Sequence, residues 1–146
     1  VMAQTAPALG TRFFAAAGAS ALRRGLAEKL FSAEEELYAA PASLGWGLPE
    51  MEKAAIQAGL EEVQVFAEYY EEERLVSREN IAAWFGPVWE KAGAPPEGGG
   101  SVNYAALLGP RLDAGEAAEL KKWLEEKVAG AVLPWKSCTV FASGKG

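Results

Sequence analysis

The stretch Ala58-Gly59-Leu60-Glu61-Glu62-Val63-Gln64-Val65-Phe66-Ala67-Glu68-Tyr69 decides the fold class of this chain. Val63, Val65, Ala67 and Tyr69 alternate with Gln64, Phe66 and Glu68, and a period of two means a strand over 62–70 with one face toward a core. Gly59 ahead of it is a helix stop. The helix that it closes runs over 49–58, with Pro49 as a good first residue and Met51, Ala55 and Ala58 on one face. A helix handing over to a strand at a glycine points to an α/β chain.

Toward the C-terminus, Ser77 caps a helix carrying Ile81, Trp84 and Phe85, and Gly86-Pro87 is read as its end. The prolines and glycines of 93–103 read as a mobile loop. Its Gly98-Gly99-Gly100 is no phosphate loop, because the Gly-Lys-Ser or Gly-Lys-Thr that should follow is absent. Asp113 and Glu116 form a capping box for a helix striped by Ala117, Leu120, Leu124 and Val128, with Gly130 as its stop. The last strand is expected over 135–142, with Cys138, Val140 and Ala142 on its core face. Trp84, Phe85 and Trp123 are expected to be mostly buried, as the large apolar side chains of a helical insert at about 77–130.

Toward the N-terminus, Val1 to Ala6 read as a strand ended by Pro7 and Gly10. A chain that opens inside a strand is expected to be one domain, 1–146, taken from a longer protein. Phe13, Phe14, Ala17, Leu22, Leu26 and Leu30 follow at helical spacing, with a break expected near Gly18. Ser32 and Glu35 read as a capping box opening a separate short helix to Ala39, whose Glu34, Glu35 and Glu36 sit at its positive end.

Composition excludes more than it asserts. At 146 residues one core is feasible, since such a chain buries about 68–70% of its unfolded surface. There is no histidine and one cysteine, so imidazole-based catalysis, histidine zinc sites and internal disulfides are all excluded. No metal site and no catalytic residue is assigned. The net charge of −6 argues against direct nucleic-acid binding, which draws its affinity from Lys and Arg. Trp84, Phe85, Trp89 and Tyr104 beside Arg78 and Lys91 could stack on bases, but they stand at core spacing in an acidic chain. The low cysteine content, with no apolar leader and no long uncharged span, points to the cytoplasm and away from a membrane.

The passage Ala58-Gly59-Leu60-Glu61-Glu62-Val63-Gln64-Val65 together with Val1-Met2-Ala3-Gln4-Thr5 resembles the C-terminal half of a class I S-adenosylmethionine-dependent methyltransferase. The resemblance implies a partial Rossmann-like sheet of three strands, 1–6, 62–70 and 135–142, flanked by helices. They correspond to the family's fifth, sixth and seventh strands, and the implied spatial order is 1–6, 135–142, 62–70. A narrower likeness rests on Phe31-Ser32-Ala33-Glu34-Glu35-Glu36-Leu37-Tyr38, Glu73-Arg74, Ala83-Trp84-Phe85 and Leu133-Pro134-Trp135-Lys136-Ser137. These segments resemble methyltransferase-like pieces appended to bacterial recombination ATPases of the AAA+ superfamily.

The family's cofactor site needs a glycine-rich turn after the first strand and an acidic residue ending the second. Neither has a counterpart in these residues, so no cofactor is expected to bind this chain alone, and S-adenosylmethionine belongs to the parent domain. The resemblance makes Gln4, Thr5, Arg12, Phe13, Trp135 and Lys136 the substrate-facing candidates. It implies as partners the missing N-terminal half and an AAA+ module, with a non-catalytic assembly role in DNA replication or repair as the alternative function. An uncharged first strand without its neighbour also leads us to expect a homodimer, by edge pairing or by exchange of the strand and the helix after it.

Overall fold

The structure is a computed structural model that describes residues 1–39, 46–91 and 104–146. In chain order these form β1 (Met2–Thr5), α1 (Phe13–Ala16), α2 (Arg24–Ala39), α3 (Leu48–Gln57), β2 (Glu61–Leu75), α4 (Arg78–Lys91), α5 (Tyr104–Leu108), α6 (Ala114–Trp123) and β3 (Val132–Lys145). The fold is mixed α/β, with a three-stranded antiparallel sheet in the order β1-β3-β2. The loop expected at 93–103 lies outside the described residues.

The chain packs as two compact units. The sheet unit comprises Val1–Thr11, Tyr38–Glu72 and Pro134–Gly146. Here α3 sets Met51 and Ala55 against Ala6, Cys138, Val140 and Ala142, all buried. The period of two in β3 puts Cys138 in this core, where burial pushes its thiol up from the ordinary range. On the opposite face of the strands Phe66 stacks on Phe141, with ring centres 5.2 Å apart. Gly10 is required by close approach: a Cβ there would stand 2.7 Å from the Lys136 carbonyl oxygen.

The helical unit comprises Arg12–Leu37 and Glu73–Leu133, so the helices expected as an insert share it with the first helical stretch. The break expected at Gly18 is present, with that residue left-handed at φ 85°. The capping box Asp113–Glu116 opens α6. The Glu116 N–H bond, 2.7 Å, is the main reason that the Asp113 carboxyl lies below its ordinary range. Ser77 Oγ accepts from the Asn80 N–H at 3.1 Å, and Asn80 Oδ1 accepts from the Ser77 N–H.

Several local expectations are corrected. Ser32 opens no new helix, because α2 runs unbroken from Arg24 to Ala39 on a stripe of Leu26, Leu30, Ala33 and Leu37. Pro87 does not end α4. The lost hydrogen bond is offset by buried Val88 and by Trp89, which stacks 6.2 Å from Phe85. Trp84 is 40% exposed, against the expected burial, while Phe85 and Trp123 are buried. At about 100° per residue Trp84 lies on the flank of the face made by Ile81, Phe85 and Val88. Strand β2 runs on through the acidic run to Leu75, and β3 extends beyond 135–142 at both ends.

Candidate functional site

The six residues singled out by sequence divide between the two units. Gln4 and Thr5 lie exposed on β1. Trp135 is half-buried and Lys136 exposed on β3. The Lys136 main chain is held on both sides by Thr11: its N–H donates to Thr11 Oγ1 at 2.7 Å, and its carbonyl accepts from the Thr11 N–H at 2.9 Å. The Lys136 ammonium stands 5.8 Å from the centre of the Tyr69 ring. In the helical unit, Arg12 Nε donates to Glu35 Oε1 at 2.9 Å. Phe13 is a core residue, 4% exposed, with its ring against Phe14, Trp84, Phe85 and Tyr104.

The main constellation of charge and aromatic rings in the helical unit centres on Glu34, which sequence reading did not select. Its side chain is 1% exposed. One carboxylate oxygen accepts from the Phe14 N–H at 3.1 Å; the other accepts from the Phe13 N–H at 2.9 Å and from the Tyr104 hydroxyl. Burial pushes the Glu34 carboxyl up from the ordinary range. The Tyr104 hydroxyl, the two backbone N–H groups and the charge of Arg12 pull the other way. The signal was present in the sequence, since Glu34 stands four residues after Leu30 and three before Leu37, on the buried stripe of α2. Splitting the helix at Ser32 concealed it.

The acidic triplet is thereby divided. Glu34 turns inward, Glu35 pairs with Arg12, and both oxygens of Glu36 meet Arg111 Nη2 at 2.6 Å. Lys29 bridges Glu116 at 2.7 Å and the Arg111 carbonyl at 3.2 Å. Among the described residues no group of three or more acidic or cysteine side chains is placed to hold a metal ion, and no helix is long and apolar enough to cross a membrane.

A cavity of about 90 Å³ in the helical unit is lined by Arg78, Ile81, Ala82, Trp89, Glu125 and Ala129. Pockets for drug-sized ligands run from about 300 Å³. Trp84, whose ring meets that of Phe13 edge to face at 5.8 Å, exposes part of its surface. What this arrangement does chemically is to anchor: a desolvated carboxylate gathers the N–H groups that open α1 and a phenol from α5.

No protein family, no curated protein and no solved structure matches this chain.

Proposed function

We propose that these residues form the substrate-side portion of a methyltransferase-like domain whose cofactor-binding half lies outside them. The single observation that carries this reading is the strand order. β3, last in sequence, runs antiparallel beside β1 and between β1 and β2, as the seventh strand of the family does between the fifth and the sixth. The passage from α3 through Ala58, Gly59 and Leu60 into β2 supports it. On this reading S-adenosylmethionine would be held by the other half. Gln4 and Thr5 on β1 and Trp135 and Lys136 on β3 would be the residues nearest a methyl acceptor.

The second reading, a non-catalytic assembly module of a DNA replication or repair ATPase, is favoured by one observation. One of the six candidates, Phe13, is committed to the fold in the aromatic core.

Calorimetry with S-adenosylmethionine separates the readings. The expected outcome is no binding to this 146-residue chain and binding to the longest polypeptide that its gene encodes. Micromolar binding to this chain alone would overturn the half-domain reading. Absence of binding to both would favour the assembly module.

A further inference from the structure

The two edges of the sheet differ in chemistry. β2 carries Glu61, Glu62, Glu68, Glu71, Glu72, Glu73 and Arg74 along one edge. β1, on the other, reads Met-Ala-Gln-Thr and has no charge. Charge along an edge strand discourages pairing with another chain, and an uncharged edge leaves the pairing open.

The hydrogen-bond phase shows which groups β1 presents. Met2 lies opposite Ala142, Ala3 opposite Phe141, Gln4 opposite Val140 and Thr5 opposite Thr139. In the same register the Ala6 N–H donates to the Cys138 carbonyl at 2.9 Å, so Ala6 and Cys138 are a hydrogen-bonded pair. Bonded and non-bonded pairs alternate along an antiparallel ladder. Gln4 and Met2 therefore bond to β3, and Ala3 and Thr5 turn their N–H and C=O groups toward the outer edge.

We propose that β1 pairs antiparallel with β1 of a second copy of this chain, giving a continuous sheet β2-β3-β1-β1-β3-β2. A two-fold axis at Gln4 sets Ala3 of each copy opposite Thr5 of the other, and each such pair exchanges both of its main-chain hydrogen bonds. The two Gln4 residues then form the close, non-bonded pair, within reach for their side-chain amides to bond to each other. Pro7, the next residue in the outward-facing phase, has no N–H, and it ends the pairing there. An identical uncharged segment is complementary to itself across such an axis, whereas the acidic edge of β2 would repel its own copy.

The pairing concerns this 146-residue chain and is tested apart from cofactor binding. In the parent domain of the methyltransferase reading a preceding strand would take the same edge of β1, so there the two pairings exclude each other. Sedimentation of the 146-residue chain over a wide concentration range should show a dimer that dissociates on dilution. Ala3→Pro removes an N–H that points outward and leaves the bonds of Met2 and Gln4 to β3 in place. It should weaken dimerisation by about tenfold or more with the circular dichroism of the wild type retained. Hydrogen exchange on the wild type supplies a second readout, independent of any variant: the Ala3 and Thr5 amides should exchange slowly in the dimer and fast on dilution, with Gln4 slow throughout. A strict monomer, a dimer untouched by a folded Ala3→Pro, or Ala3 and Thr5 amides that exchange fast in the dimer would each overturn the proposal.

Discussion

The two units are held by different means. In the sheet unit the fully buried core is small, Ala6, Ala55, Cys138, Val140, Ala142 and Met51, with Met2, Trp46, Leu60, Val63, Val65 and Ala67 partly buried against it. The helical unit buries Phe13, Phe14, Phe85 and Trp123 with a series of leucines, and it encloses the Glu34 carboxylate. Burial of apolar surface is worth about 25 cal/mol per Å², so most of the large-residue burial lies in the helices. The sheet unit depends more on its main-chain ladder and on the fit of small side chains to α3. Stability and polar specificity are therefore concentrated away from the strands that carry the functional reading.

Phe14→Ala is the strongest way to break this contrast. Phe14 is fully buried, and its loss should cost about 3–5 kcal/mol in denaturant unfolding. Met51→Ala, the matching truncation in the sheet unit, should cost about 2–3 kcal/mol. A larger loss at Met51 than at Phe14 would reverse the comparison. Trp84→Ala should cost only about 1–2 kcal/mol, since the side chain is 40% exposed and its main contact is an edge-to-face ring pair with Phe13.

The smallest expected effect is a slope with pH, and it sharpens the comparison by isolating the polar anchor of the helical unit. Burial raises the folded-state pKa of Glu34 above its ordinary 4.5. Between those two values the folded chain binds more protons than the unfolded one, so stability from this group falls as pH rises. The contribution is complete below pH 4.5 and is lost as pH climbs through the raised value. Unfolding free energy measured as wild type minus Glu34→Gln should thus increase on going from neutral pH down toward 4.5. A flat or opposite difference would mean that the donors around Glu34 outweigh its burial.

Much of the fold was legible in particular residues. The alternation from Val63 to Tyr69 and from Cys138 to Ala142 marked two strands, and Gly18, Gly59 and Gly130 all adopt positive φ where stops or breaks were expected. Asp113 with Glu116 and Ser77 with Asn80 cap helices because a short polar side chain reaches an N–H three residues on. The site was less legible. Gln4, Thr5, Trp135 and Lys136 lie on the strands expected for them, whereas Phe13 belongs to the core, and the cap read at Ser32 places Glu34 at an exposed helix start although it is buried.

The sequence by itself determined what depends on neighbours along the chain: the strand periods, the glycine stops, the capping boxes and the absence of imidazole chemistry. These follow from local backbone geometry and from composition, and they need no partner across space. Only the tertiary structure decided that α2 continues past Ser32, that α4 survives Pro87, that Trp84 stays half in solvent and that Glu34 is enclosed. Each depends on what is packed opposite. A proline is tolerated where Val88 and Trp89 find a core, and a carboxylate can be buried where Phe13, Phe14 and Tyr104 bring their donors to it.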